Sequence, residues 1–113
     1  MPVTLKNAES KAAELGMWIA SSLERVDEEG LRRLLGAEAE ARVHDLGDGL
    51  HQVELIYPPG SGKVALIVIL VEQPGWVSPV TYLGHSIQDM EAFKNLYEAL
   101  EEDMERWRAT QHA

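Results

Sequence analysis

The chain contains no cysteine, which excludes a disulfide framework, a thiolate metal site and a cysteine nucleophile. Its longest apolar run covers residues 64–71. A run of this length suits a strand and is too short to span a bilayer, which takes about 20 residues. Residues 1–10 lack the basic and then apolar order of a secretory signal. We therefore expect a cytoplasmic protein that does not enter a membrane.

Basic residues are scarce, with ten lysines and arginines against nineteen aspartates and glutamates, and the formal net charge is −9. Nucleic-acid binding draws much of its affinity from lysine and arginine at phosphates. Here these residues are mostly isolated, and only those at 32–33 and at 106 and 108 lie close in sequence. We expect the protein to bind neither nucleic acid nor an anionic membrane. The acidity predicts either a solvated surface or an acidic face that matches a basic partner protein.

Apolar residues make up 45% of the 113 residues. This is enough for one hydrophobic core and predicts a single domain over residues 1–113. We expect short flexible tails at residues 1–6 and 110–113.

Three segments have apolar residues at steps of three and four, the periodicity of a helix. The first follows a potential cap at Asn7, the second lies between Asp27 and Gly36, and the third opens at Ser86. Their apolar faces are, in order, Ala8, Ala12, Leu15, Ile19, Leu23 and Val26; Leu31, Leu34 and Leu35; and Ile87, Met90, Phe93, Tyr97, Leu100, Met104 and Trp107. Gly16 costs the first helix about 1 kcal/mol relative to alanine, so either a neighbour packs closely there or the helix is locally weak.

The pattern from residue 43 onward changes to a period of two, which is typical of strands. A Gly-Asp-Gly turn at residues 47–49 predicts a β-hairpin. This hairpin places Asp45 opposite His51. It also places Leu46 opposite Leu50.

Two further strands are predicted at residues 63–72 and 76–83, after breaker segments at 58–62 and 73–75. Pro79 has no N–H to donate, which places the last strand at a sheet edge or a bulge. The predicted order is α-α-β-β-β-β-α. It describes an α+β domain in which a four-stranded antiparallel meander sheet is preceded by two helices and followed by one long C-terminal helix.

The third predicted strand is apolar on both sides, whereas a strand with one wet face alternates apolar and polar residues. Its two sides are Val64, Leu66, Val68 and Leu70, and Ala65, Ile67, Ile69 and Val71. Either helices cover both faces, or helices cover one face and a second copy covers the other. On the expected helix-covered face, Ile67 and Ile69 are joined by four hairpin residues, Val43, Val53, Leu55 and Tyr57. The residues on the other side of this strand are then the candidate interface of a homodimer. They are Val64, Leu66, Val68 and Leu70.

Asp45 and His51 are the candidates for catalysis, because an aspartate opposite a histidine can orient the imidazole as half of a general-base arrangement. No serine or threonine is placed as a nucleophile, and the alternative is a polar cross-strand pair. The four histidines, His44, His51, His85 and His112, lack the spacing of metal ligands. The sequence therefore predicts no metal site.

The segment PPGSGK at residues 58–63 resembles a phosphate-binding loop superficially. The positions of the first Walker glycine and of the hydroxyl hold Tyr57 and Val64, and the segment joins two strands instead of a strand and a helix. We predict a hairpin loop and no cofactor.

The last predicted helix has an acidic stretch beside its apolar face, formed by Glu98, Glu101, Glu102, Asp103 and Glu105. Glu102 has a basic partner four residues further along the helix, Arg106. Such a stretch is ordinarily solvated, and the alternative is a docking face for a basic partner.

No motif matches a known family. The chain resembles small acidic α+β dimers that chaperone other proteins only in composition and architecture, which transfers no residue role. One hypothesis is a non-catalytic protein-binding or regulatory module that forms a homodimer. The other is a small enzyme or ligand-binding protein with a pocket between sheet and helices near Asp45, His51 and Tyr57. The two-sided apolar strand and the lack of a catalytic constellation favour the first.

Overall fold

Three helices and a five-stranded antiparallel sheet form the part of the chain that the computed structural model describes, residues 2–79 and 84–111. In chain order the elements are α1 (Ala8–Ser22), α2 (Glu28–Leu35), β1 (Glu40–Gly47), β2 (Leu50–Ile56), β3 (Val64–Gln73), β4 (Trp76–Pro79), β5 (His85–Ile87) and α3 (Met90–Gln111). The strands are ordered β1-β2-β3-β4, and β5 also pairs with β3. The predicted α+β class and its layout are confirmed.

Helix α1 has the predicted apolar face but ends earlier than predicted. Its buried residues include Ala8, Ala12, Leu15, Trp18 and Ile19. The helix ends at Ser22, and Val26 lies in the connection to α2, where its N–H donates to the Glu72 carboxylate at 2.7 Å. Asn7 occupies the predicted N-cap position, but its side chain accepts a hydrogen bond from the N–H of Thr4 instead of from the helix.

Helix α2 has both of its predicted ends. The Asp27 carboxylate accepts a hydrogen bond from the N–H of Gly30 at 2.6 Å, and this bond lowers the pKa of Asp27. At the other end Gly36 has φ of 61°, in the left-handed region that favours glycine. The inward side chains Leu31 and Leu35 are fully buried.

Helix α3 begins later than predicted, at Met90. Ser86 and Ile87 belong to β5, a short strand that the helical spacing concealed, in which Ile87 pairs with Leu66 of β3. The cap is Asp89, whose carboxylate accepts a hydrogen bond from the Ala92 N–H at 2.8 Å and thereby has a lowered pKa. Of the predicted stripe, Phe93, Tyr97, Leu100 and Met104 are buried, and Trp107 packs against the core.

Two predicted segments extend beyond the described residues. β4 confirms the fourth strand over residues 76–79, and residues 80–83 of that prediction lie outside the described part of the chain. At the chain ends, Val3 is buried in the core, so the predicted flexible tail at residues 1–6 is wrong there. Of the predicted C-terminal tail, residues 110 and 111 form the end of α3. Residues 112 and 113, which include His112, lie outside the described residues.

The hairpin of β1 and β2 has the predicted pair of Asp45 opposite His51. Its turn differs, because Gly47 instead of Leu46 lies opposite Leu50 and a bulge lies between Asp45 and Gly47. The bulge leaves Leu46 without a cross-strand partner and 53% exposed.

The pairing of β2 with β3 is one residue away from the predicted register. Val53 lies opposite Val68, and Leu55 lies opposite Leu66. Ile67 therefore lies opposite Glu54, on the other face. A shift of one residue moves every side chain of a strand to the opposite face, and a bulge between residues 55 and 56 sets this register.

The predicted interface is therefore wrong. Leu66, Val68 and Leu70 are buried in the core beneath the helices, and Val64 pairs with Ile56 beyond the bulge. The predicted helix-covered face of the hairpin is confirmed, since Val53 and Leu55 are buried in the same core and Val43 and Tyr57 pack against it.

Candidate functional site

The face of the sheet opposite the helices carries an apolar patch. The three helices share one core with alternate strand residues such as Val53, Leu66 and Val68. The intervening residues of the same strands point to the opposite face, which none of α1, α2 and α3 covers. We call the apolar members of this set, together with the exposed Leu46 at the bulge next to the Gly47–Leu50 pair, the open apolar face: Leu46, Leu50, Ile67, Ile69, Val71 and Trp76.

The open apolar face is continuous across the sheet. Leu50 lies opposite Val71, which places the start of β2 beside the far half of β3. Leu46 and Trp76 are each 53% exposed, and the other four residues are half-buried by their neighbours. Single exposed apolar residues are normal, but a contiguous patch of them marks a contact surface.

Polar residues of β1 and β2 border the open apolar face on one side. Arg42 lies opposite Glu54, and His44 lies opposite Gln52. The His44 Nε2 atom lies 2.7 Å from a Glu54 carboxylate oxygen, and Glu40 accepts a hydrogen bond from the Gly60 N–H at 2.6 Å. This border carries charges of both signs.

Asp45 and His51 lie opposite each other, but they do not form the expected hydrogen-bonded pair. The Asp45 carboxylate accepts a hydrogen bond from the N–H of Gly47 at 2.8 Å and so closes its own turn. The Nε2 atom of His51 faces Glu72 instead, at 3.7 Å, too far for a direct hydrogen bond. That Glu72 carboxylate accepts the N–H of Val26, so it fixes the α1–α2 connection as well.

The imidazole of His51 has an unsatisfied atom. Its side chain is 13% exposed, and Nδ1 is buried without a hydrogen-bond partner among the residues described. Sequence reasoning missed Glu72, because only the folded hairpin brings the end of β3 beside His51. The pairing of Gly49 with this end, through the Glu72 N–H to Gly49 carbonyl bond at 2.8 Å, is what places it there.

Tyr57 does not share a pocket with Asp45 and His51. It follows β2 at the end opposite His51, roughly 20 Å away along an extended strand. Tyr57 lines a cavity of about 270 Å³ with Lys63 and Asp89, whose side chains approach to 3.5 Å. The three-residue pocket of the enzyme hypothesis is therefore wrong.

Two larger cavities lie on the helix-covered side, and neither is lined by Asp45 or His51. One of about 630 Å³ lies at the corner between α1 and α2, beside Arg25 and Asp27. The other, of about 550 Å³, lies between α2 and the edge strand β1, beside Arg32. Both are open surface grooves whose linings mix charged side chains with small and apolar residues.

The PPGSGK segment is a hairpin loop between β2 and β3, as predicted. Its residues satisfy one another: the Ser61 hydroxyl donates to the Pro58 carbonyl at 2.6 Å and accepts from the Lys63 N–H at 3.1 Å. The Tyr57 N–H donates to the Lys63 carbonyl at 3.1 Å, which closes the loop.

Within residues 2–79 and 84–111, no three histidine, aspartate or glutamate side chains converge as metal ligands. Over the same residues no helix is both long and apolar enough to cross a bilayer.

The acidic stretch lies on the outer side of α3. Glu98, Glu102 and Glu105 are exposed. Arg106 pairs with Glu102 at 3.3 Å, as predicted, and also with Asp103. The stretch is thus partly neutralised by its own helix, and a docking role for it stays a prediction.

Glu14 joins α1 to α3 on the helix-covered side. It accepts a hydrogen bond from the Tyr97 hydroxyl at 3.1 Å and forms an ion pair with Arg108. Lys11 lies over the Tyr97 ring, 5.0 Å from its centroid, close enough for a cation–π contact. Burial of the phenol, with nearby Glu101 and Glu105, raises the pKa of Tyr97 to about 12.

Comparison with protein-family models, curated proteins and solved structures found no match to this chain. Function is therefore argued from the geometry of the chain alone.

Proposed function

We propose that the protein is a non-catalytic protein-binding module, of a regulatory or chaperone-like kind, which works as a homodimer. The observation that supports the proposal is the open apolar face, where Leu46 and Trp76 are more than half exposed beside four further apolar residues. Leaving aliphatic side chains in water forgoes about 1.5–3 kcal/mol for each one that a partner would bury. A surface of this kind is retained in a protein that contacts another chain.

The acidic stretch of α3 belongs to the same proposal as a second, weaker contact for a partner with a basic surface. Its exposed carboxylates lie on the helix-covered side, away from the open apolar face. The absence of cysteine is compatible with a cytoplasmic location, which we include in the proposal.

The test is the size of the protein in extracts of its native host. The tagged wild type is compared with Ile69→Lys, which places a charge at the centre of the open apolar face. A matched control is Met17→Lys, which changes an exposed apolar residue of α1. We expect the wild type and Met17→Lys to migrate in a complex, and Ile69→Lys to migrate as a monomer. Migration of the wild type as a monomer in concentrated extract would contradict the proposal.

The alternative is a ligand-binding protein or small enzyme that uses His51. The observation that favours it is the buried Nδ1 atom without a partner. Leaving such an atom unsatisfied costs about 1–3 kcal/mol, a cost that a functional role of the imidazole would explain. If His51→Ala lowers the free energy of unfolding by less than about 1 kcal/mol and abolishes no measured activity, the alternative fails.

A further inference from the structure

The charges around the open apolar face indicate what covers it. We infer that the occupant is a second copy of this chain, packed sheet against sheet around a two-fold axis near Ile69. The inference rests on the proposed function, and it specifies the contact surface and the arrangement of the two copies. A two-fold contact is self-complementary, so each residue of the patch meets the same patch on the other copy.

The open face carries little of the charge of the protein. Among the described residues, its charged side chains are Arg42, Glu40 and Glu54, with His44 beside Glu54. With neutral histidine their formal sum is −1, from one arginine and two glutamates, whereas the whole chain has −9. The remaining acidic side chains lie elsewhere, so two copies can approach by this face with little repulsion between like charges.

The same distribution argues against a basic partner at this face. A strongly basic protein would be attracted to the exposed carboxylates of α3, which lie on the helix-covered side. At the open face Glu54 already lies beside His44, and Glu40 already accepts the Gly60 N–H. A nearly neutral apolar patch with a mixed border matches a copy of itself better than it matches a surface of one sign.

The area of the face sets the strength of the contact. Strands β1 to β4 lie about 4.8 Å apart, and a strand of roughly seven residues at about 3.3 Å per residue sets the other dimension. The projected area of this face of the sheet is therefore on the order of 400 Å². The accessible surface of protruding side chains exceeds this projection, and stable interfaces bury about 800 Å² on each partner. The contact therefore lies at the lower end of stable interfaces. We expect a dimer that dissociates on dilution.

The experiment uses purified full-length protein and measures mass by light scattering and sedimentation over about 1 to 100 µM, a range centred on the micromolar affinities of small interfaces. We expect the wild type to approach twice the 12.6 kDa subunit mass at the highest concentration. Ile69→Lys should stay at the subunit mass, and Met17→Lys should follow the wild type. Leu46→Ser combined with Trp76→Ala removes only half-exposed side chains, so it tests the face without disturbing the core. It should also stay at the subunit mass.

Two results would overturn the inference. One is a wild type at the subunit mass at every concentration. The other is a doubled mass that persists in both open-face variants while their circular dichroism matches that of the wild type. If the purified wild type is a monomer but the native extract shows a complex that Ile69→Lys abolishes, the occupant is a different protein. The inference then fails together with the homodimer, and the protein-binding part of the proposed function stands.

Cross-linking tests the geometry, because a chain without cysteine gives clean single-cysteine variants. Gln52→Cys places a thiol on the open face beside Ile69, and Ser21→Cys places one on the exposed side of α1. With a short bismaleimide we expect covalent dimers from Gln52→Cys and few from Ser21→Cys. The reverse pattern would show that the helices form the contact, and it would overturn the inference.

Discussion

Two glycines lie in helices, where helix propensity alone makes glycine less stable than alanine. Substitution of each by alanine should nevertheless change the free energy of unfolding differently. Gly16 lies in α1 and Gly30 lies in the first turn of α2. By propensity alone, alanine stabilises a helix interior by about 1 kcal/mol relative to glycine. The surroundings of the added methyl group decide whether this gain is kept.

At Gly16 the gain should be kept almost in full. A Cβ atom built there lies 3.4 Å from a methyl carbon of Val68, an ordinary van der Waals contact, and no other non-local atom lies within 4 Å. Gly16→Ala should therefore raise the free energy of unfolding by about 0.5–1 kcal/mol. Gly16→Leu should lower it by about 1–3 kcal/mol, because the larger side chain must displace β3 from α1.

At Gly30 the gain should be cancelled. A Cβ atom there lies 2.9 Å from the Asp27 carboxylate oxygen that accepts the Gly30 N–H. The carboxylate can move aside, but the movement breaks the cap, and loss of a cap costs about 0.5–2 kcal/mol. Gly30→Ala should leave stability unchanged or lower it by up to about 1 kcal/mol.

Urea unfolding followed by circular dichroism at one fixed protein concentration measures both variants. A fixed concentration is necessary because dissociation of a dimer would contribute to the measured stability. If Gly16→Ala is destabilising, or if Gly30→Ala stabilises as much as Gly16→Ala does, the assigned packing of α1 on β3 or the Asp27 cap is wrong.

Two further predictions concern charged groups. Glu14→Ala should lower the free energy of unfolding by about 1–2 kcal/mol because it removes the partner of Tyr97 and Arg108. The control Glu102→Ala, at an exposed ion pair, should change it by less than about 0.5 kcal/mol. Equal effects of the two variants in urea unfolding would refute the α1–α3 contact. The lowered pKa of Asp27 means that its cap stabilises the fold above the ordinary value of 3.8 and is lost as the pH falls through the lower folded value. The stability difference between wild type and Asp27→Ala, measured from pH 6 to pH 2, should therefore shrink below about pH 4, and a difference that is constant with pH would contradict this.

The elements that could be predicted from the sequence are those whose ends carry a residue type with a known structural role, such as a capping carboxylate or a glycine. Asp27 could be identified because a carboxylate before a short apolar repeat is a helix cap, and Gly36 because glycine ends helices. The pair of Asp45 with His51 followed from the glycines of the turn. The start of α3 could not be predicted, because Ile87 continues the helical spacing although it pairs with β3.

The face of β3 could not be predicted for a different reason. A strand that is apolar on both sides contains no alternation, so its sequence is equally compatible with either register. The bulge between the Leu55–Leu66 and Ile56–Val64 pairs, whose extra residue is Ala65 of β3, decides between the two registers. Nothing in the chemistry of residues 64–66 distinguishes Ala65 as a bulge residue. The uncovered face of β3 therefore carries Ile67 and Ile69 instead of Leu66 and Val68, which are buried beneath the helices.

The separation of charge from the open apolar face gives the two proposed contacts opposite salt dependence. In a dimer packed sheet against sheet, the helix layer of each copy keeps the exposed carboxylates of α3 well over 10 Å from the interface, because a helix alone is about 10 Å thick. The Debye length is about 30 Å at 0.01 M salt and about 8 Å at 0.15 M, so repulsion between the two acidic copies is felt at low salt and is screened at physiological salt. Added salt also favours apolar contact when its anion is strongly hydrated, as sulfate is. The dimer should therefore strengthen as salt rises, whereas a basic protein held by Glu98, Glu102 and Glu105 should dissociate over the same range. A measured contact that weakens steeply with salt belongs to the acidic helix, and one that strengthens belongs to the sheet.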